Sequence, residues 1–251
     1  MTSMRILFIS GSIGLGHVRR DLAIARQLRR LNPGVEIVWL AGEPARQVIA
    51  EADETLLPES AALGDETSSA EDAAEKFSLN LMSYGRRAQS AWKRTVSTFE
   101  EVSAKYSYDL LVGDETYEID MALDKRPELK KASFVMIYDF VGLDAMSRNP
   151  LERLMAYRGN WAWSGGLRGK PPTQEDLTHF IGEPEDVADR PFGLWLPNRR
   201  EYARRYYHFV GYAFGFDPAE YADKAKVRAG LGYDEERPLI VCSIGGTGGG
   251  S

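Results

Sequence analysis

"ILFISGSIGLGHVRRDLAIARQL", residues Ile6 to Leu28, decides how the rest of the chain is read. Ile6 to Ile9 are apolar without alternation, which marks a strand covered on both faces. Gly11, Gly14 and Gly16 follow closely, and Val18, Leu22, Ala25, Leu28 and Leu31 then recur at spacings of three and four. That spacing is the buried stripe of an amphipathic helix, stopped at Asn32-Pro33-Gly34. A strand, a glycine-rich turn and a helix in this order open a parallel α/β sheet.

The same kind of strand recurs at "VEIVWLA" (35–41), "DLLVGD" (109–114), "SFVMIYD" (133–139) and "PLIVCSI" (238–244), with helical stretches between. The prediction is an α/β fold, a doubly wound Rossmann-like parallel sheet with helices on both faces. Pro44 to Ala52 reads as a short helix with proline in its first turn. Residues 58–76 are small, polar and acidic and read as a loop. Ala88, Trp92, Val96, Phe99, Val102 and Tyr106 predict a long helix packed by that stripe. Periodicity is poor from 140 to 175, where one short helix and an irregular Gly/Pro-rich loop are expected. Short strands are predicted near 178–181 and 206–212; His179 and His208 adjoin or lie within them and read as structural. From residue 216 the pattern is a linker, a short helix and a new apolar strand ending in glycines. Residues 1–215 are therefore expected to form one domain, and 216–251 the linker and first strand of a second, truncated one. The terminal "GGTGGGS" also has the composition of a flexible linker.

Composition narrows the classes. The chain has 251 residues, 43% of them apolar, and a formal charge of −6. An acidic chain lacks the basic surface that releases counterions from nucleic acid, so no nucleic-acid partner is expected. Cys242 is the single cysteine, which excludes an internal disulfide and a structural zinc site made mainly of thiolates and suits a reducing cytoplasm. The first residues lack a secretory signal and no segment approaches the roughly 20 apolar residues of a bilayer span. The expected compartment is the cytoplasm.

The glycine loop follows a strand at the sheet's carboxyl edge, where ligands of such folds bind. Glycines let the backbone approach an anion, and the helix start near His17 or Val18 offers its N–H groups. The order G-x-x-G-x-G is not the dinucleotide fingerprint G-x-G-x-x-G, and His-Val replaces the Lys-Ser/Thr of a phosphate-binding Walker loop. A tight strand-to-helix turn accounts for three glycines equally well. His17 adds chemistry: the dipole at a helix start disfavours the imidazolium, leaving a neutral ring that accepts a proton. Asp114, at the end of "LLVGD", is the expected partner that fixes the ring's tautomer, although an acid there also caps a following helix.

"RILFISGSIGLGHVRRDLAIARQL" resembles the opening of the two-domain glycosyltransferases with twin Rossmann-like domains, the GT-B fold. This superfamily includes UDP-glycosyltransferases and the lipid-linked N-acetylglucosaminyltransferase of peptidoglycan synthesis. "VRAGLGYDEERPLIVCSIGGT" resembles the junction into their second domain. The resemblance implies that the present chain is the N-terminal, acceptor-binding half, with His17 the base for an acceptor hydroxyl and Asp114 its partner. It implies a nucleotide-sugar donor, UDP-linked, approached by Gly14, Gly16 and the second glycine loop, Gly245, Gly246 and Thr247. No metal and no further cofactor are implied. The acceptor is a small or lipid-linked molecule, and Gly11, Ser12, Glu115, Tyr138, Asp139 and Glu183, expected near strand ends, are the residues expected to line its cleft. The half chain is expected to be inactive alone.

Two other classes fit the same pattern: a nucleotide-sugar epimerase of the same architecture, and a dinucleotide-binding oxidoreductase domain or a binding module without chemistry. Trp161 and Trp163 can stack on a sugar or simply pack. Residues 77–94 mix apolar side chains with Arg86, Arg87, Lys93 and Arg94, a pattern compatible with peripheral contact at an anionic membrane.

Overall fold

The computed structural model describes residues 4–11, 14–64, 74–75, 78–79, 81–172, 174–234 and 237–242. Strands are β1 (Arg5–Ile9), β2 (Glu36–Leu40), β3 (Thr55–Leu56), β4 (Ala74–Glu75), β5 (Ser78–Leu79), β6 (Leu110–Asp114), β7 (Ser133–Tyr138), β8 (Leu177–Phe180) and β9 (His208–Phe209). Helices are α1 (Leu15–Leu31), α2 (Ala45–Glu51), α3 (Leu81–Lys105), α4 (Tyr117–Lys125), α5 (Pro150–Trp163), α6 (Arg199–Tyr206) and α7 (Lys224–Gly230).

Seven strands form one all-parallel sheet in the order β3-β2-β1-β6-β7-β8-β9. The two-residue strands β4 and β5 make a separate antiparallel pair. The chain winds outward from β1 in one direction and then from β6 in the other, so the order reverses between these two central strands. Their carboxyl ends flank the crevice where a doubly wound sheet binds ligands.

Side-chain alternation divides the core into two layers. Ile6 and Phe8 of β1 meet Val18, Leu22 and Ala25 of α1 together with Ile37 and Trp39 of β2. Leu7 and Ile9 face the other way, with Phe99 and Val102 of α3 and Ile119 and Leu123 of α4. Phe8 and Trp39 stack at 4.5 Å between centroids. The central strands β1, β2, β6 and β7 bury both faces, which is why their sequences are apolar without alternation.

Three sequence expectations need correction here. Leu31 is 72% exposed rather than part of the α1 stripe. From Ala25 the stripe advances to Leu28 and Leu31 in steps of three, and each such step falls about 60° short of a full turn, so Leu31 has rotated off the buried face. On α3 the buried face is Ala91, Thr95, Phe99 and Val102, while Trp92 and Val96 are only half-buried and the side chain of Ala88 lies outside those described. The expected strand at 238–244 is absent over its described part: residues 238–242 are exposed, and among the described residues no neighbouring strand supplies the hydrogen bonds that would hold them extended. Elsewhere, 140–175 contains a helix of 14 residues, α5, with Asn149 capping it by accepting the Leu151 N–H at 3.0 Å. No helix among the described residues is long and apolar enough to cross a membrane.

Candidate functional site

The loop after β1 turns at Gly14, which is the N-cap of α1 with φ +79°, a left-handed conformation that a side chain disfavours. The helix therefore begins at Leu15, two residues earlier than His17, and His17 sits in its first turn. Gly11 is packed close: a Cβ there would lie 3.0 Å from the Asp114 carbonyl oxygen and 3.5 Å from the His17 ring. At Gly16 a Cβ would meet nothing, so packing does not demand that glycine.

β6 delivers Asp114 beside His17, across the reversal point of the sheet. His17 Nδ1 is 3.0 Å from Asp114 Oδ2, and the Asp114 side chain is fully buried. Arg20 Nη2 also stands 2.9 Å from His17 Nδ1; of the two neutral tautomers, the one whose Nδ1 donates to the Asp114 carboxylate, rather than accepting from Arg20, leaves Nε2 free to accept a proton. Nε2 lies 3.9 Å from Glu115 Oε2; Asp114 and Glu115, the two acids beside the ring, line a small cleft of about 30 Å³ together with Ser10, Gly11, Gly42 and Thr95.

Arg20, one helical turn beyond His17, completes the cluster. Its guanidinium donates to Asp114 Oδ1 at 2.6 Å and to Asp139 Oδ2 at 2.9 Å, joining the ends of β6 and β7 to α1. Next to it Asp21 is wholly buried and accepts the Ser10 hydroxyl at 2.5 Å. Burial and the neighbouring Asp114 charge push the Asp21 carboxyl well above the usual carboxylate range. None of Arg20, Asp21 and Ser10 was anticipated. Two signals pointed to them: Arg20 follows His17 by three residues on one helix face, and Asp21 sits among the buried positions 18, 22 and 25, where an acid must have a partner.

Burial disfavours the His17 imidazolium, but the hydrogen bond and charge of Asp114 outweigh it and raise the His17 pKa above 6.5. This corrects the expectation from the helix dipole alone: the buried carboxylate acts at hydrogen-bond distance, and its effect exceeds the partial charge of a helix end.

Glu115 sits at φ +53°, a left-handed backbone that is rare for a residue with a side chain. Its carboxyl oxygen accepts the Asp139 N–H at 3.2 Å. Burial, the hydrogen bond to Asp139 and the charges of Asp139 and Asp114 push Glu115 up to about 10. Burial also opposes the charge on Asp139, yet the bonds from Glu115 and Arg20 hold that carboxyl below its usual range. Glu115 thus carries the proton that the two acids share. An acid whose folded pKa lies above its unfolded value of about 4.3 loses stability as pH rises from there toward 10. Glu115→Gln keeps a neutral hydrogen-bonding group, so its melting temperature is expected to fall less than the wild type's between pH 6 and pH 9. Parallel melting curves for the two proteins would show the shared proton to be absent.

Of the other expected residues, Asp139 is bonded to Arg20, whereas Tyr138 points the opposite way. Successive strand residues alternate faces: the Tyr138 ring stacks on Tyr207 at 5.1 Å and its hydroxyl donates to Glu175 at 2.7 Å, inside the core. Glu183 follows β8, three strand positions from β1 or about 14 Å, and closes a short turn with Asp186, whose side chain accepts the Glu183 N–H at 2.7 Å. Neither lines the cleft. Ser12, Gly245, Gly246 and Thr247 lie outside the described residues. Trp163 packs against Tyr117, Tyr138 and Phe140, and Trp161 is exposed. His179 and His208 meet edge to face at 6.0 Å on adjacent strands. Among the described residues no group of three or more His, Cys, Asp or Glu side chains is arranged to hold a metal ion.

No family profile matches the chain, and no curated protein matches it. Among solved structures, the glycotransferase of kitacinnamycin is similar over 85% of this chain and 52% of that one, at 11% identity and a TM-score of 0.48. The glycosyltransferase SnogD from Streptomyces nogalater is similar over 72% and 45%, at 20% identity and 0.42. MurG of Acinetobacter baumannii is similar over 72% and 42%, at 11% identity and 0.36. The chain spans about half the length of these structures.

Proposed function

We propose that this chain is the acceptor-binding half of an inverting glycosyltransferase of the GT-B fold, moving a sugar from a nucleotide donor to a hydroxyl acceptor. The observation that carries the reading is the His17–Asp114 pair at the reversal point of the sheet, beside a small cleft that Asp114 and Glu115 line. In the proposed reaction the acceptor O–H gives its proton to His17 Nε2 as its oxygen attacks the anomeric carbon. The bond to the nucleotide diphosphate breaks on the opposite face, and the configuration inverts. Asp114 keeps the proton of the resting ring on Nδ1 and stabilises the imidazolium as it forms. Gly14, Gly16 and the second glycine loop, Gly245 to Thr247, are proposed to approach the donor.

The base must be neutral before it acts, so kcat/KM is expected to rise with pH along a limb that lies above 6.5, where Asp114 places His17. The test is product analysis for the complete translated reading frame with UDP-sugars and hydroxyl acceptors across pH 5.5–9. Acceptor-independent conversion of the sugar would indicate an epimerase. Micromolar binding of NAD(P) without transfer would indicate an oxidoreductase domain. Either result overturns the reading.

A further inference from the structure

Helix α5 wears its polarity inside out. Its buried side chains include Glu152 and Asn160, 3% and 2% exposed; Asn160 bonds to backbone, and Glu152 to backbone and the Ser147 hydroxyl. Glu152 accepts the N–H groups of Met146 and Ser147 at 3.0 and 3.1 Å. Asn160 accepts the Leu143 N–H at 2.6 Å and donates to the carbonyls of Leu143 and Phe192 at 2.8 and 2.7 Å. Polar groups thus clamp the helix to the loop behind it, and its stripe at spacings of three and four faces outward: Leu151, Leu154, Met155, Arg158 and Trp161 are all exposed. A soluble surface helix is built the other way round.

The apolar face continues beyond the helix. The Trp161 ring covers Gly166, beside exposed Leu167, and the Tyr157 hydroxyl donates to the Leu194 carbonyl at 3.2 Å. That bond seats a tight loop, closed by Phe192 N–H to the Pro197 carbonyl at 2.9 Å, whose tip presents Leu194 and Trp195. Trp195 is 79% exposed and sits at φ +62°, a left-handed backbone with a bulky side chain. The fold tolerates that strain at a residue it does not pack, which points to a use outside the fold.

Charge selects the occupant. Between residues 148 and 170 stand five cations, Arg148, Arg153, Arg158, Arg168 and Lys170, and one acid, the buried Glu152, in a chain whose net charge is −6. All five cations are exposed, and none pairs with a carboxylate among the described residues. A second copy docked on this face through a two-fold axis would set like charges against each other. An anionic bilayer accepts all three features: aliphatic side chains at the acyl boundary, tryptophan at the headgroup level, and arginine and lysine against lipid phosphate.

We propose that the outward face of α5 together with the Leu194–Trp195 tip docks this protein on an anionic lipid surface. The inference stands apart from the transferase reading, because it concerns binding alone. It places the contact on α5 and the tip rather than on 77–94, where Lys93 and Arg94 are exposed on α3 and the side chains of Arg86 and Arg87 lie outside those described.

The test is co-sedimentation of the chain with unilamellar vesicles of phosphatidylcholine alone or of equal parts phosphatidylcholine and phosphatidylglycerol. Binding to the anionic vesicles is expected to exceed binding to neutral ones by roughly tenfold or more and to weaken as salt screens the charges. Leu194→Ser with Trp195→Ser, and separately Arg158→Glu, are expected to weaken it about tenfold. These side chains are exposed, so unchanged melting temperatures verify the fold. Lys93→Glu is expected to bind as the wild type does. Absence of binding, equal binding to neutral vesicles, or binding that the α5 and tip variants leave intact overturns the proposal. So does a dimer in sedimentation equilibrium that these variants dissociate.

Discussion

Replacing His17 by alanine is expected to lower kcat for sugar transfer by about 10²–10⁴-fold, the range that a positioned general base supplies. Asp114→Asn should lose a comparable factor by another route. The amide fills the same space, but its NH₂ donates toward Nδ1 and drives the ring proton onto Nε2, the atom that must accept the acceptor's proton. The double variant is expected to be little worse than either single one, because the two side chains act as a unit. Steady-state rates for the four proteins provide the check, and full additivity would show that Asp114 acts elsewhere than through His17. A second readout separates chemistry from folding. With Asp114 gone the imidazolium loses its hydrogen bond and its countercharge, and the His17 titration followed by NMR is expected to move to lower pH.

Arg20→Ala is expected to be the most destabilising single change at the site, by about 3–5 kcal/mol, the cost of breaking a buried ion pair from one side. The Arg20 side chain is only 12% exposed and holds two carboxylates at the ends of two different strands, one of them wholly buried. Its removal strands Asp114 and leaves Asp139 with a weaker partner set. Urea denaturation at pH 7 measures the loss, and a value under about 1 kcal/mol would mean that water replaces the guanidinium without penalty. Because the Arg20 charge opposes the imidazolium, the same variant is expected to raise the His17 pKa further. Arg20→Lys should recover only part of the stability, since a single ammonium cannot fork between Asp114 and Asp139.

Much of the sheet was legible because burial on both faces leaves runs such as "ILFI" and "LLVG", and each of the four long strands falls within about a residue of its expected bounds. The run "PLIVC" has the same composition and forms no strand among the described residues, since a strand exists only where a neighbour supplies hydrogen bonds. His17 and Asp114 were legible as a pair because both follow apolar strands at the same edge. Arg20 was only partly legible: its spacing of three from His17 puts both on one helix face, but the sequence does not show that its guanidinium forks between Asp114 and Asp139. Tyr138 was misjudged for want of one residue of register: Asp139 faces Arg20, and its neighbour faces the core.

What the chain determines by itself is local. Periodicity sets which segments are strand or helix, glycine at position 14 sets where α1 can begin, and the strand–glycine–histidine order sets where a base would stand. What only the tertiary structure decided is which distant groups meet. The order β1-β6-β7 brings Asp114, Glu115 and Asp139 within reach of one helix turn; burial and the neighbouring acids then raise Glu115, and Asp114 raises His17 against burial. It also decided which face of α5 is outside, because Glu152 and Asn160 bond to backbone of the preceding loop and of Phe192 rather than to anything a helical wheel contains. Periodicity records average burial along one element, whereas charge, proton position and facing depend on groups that the chain brings together from far apart.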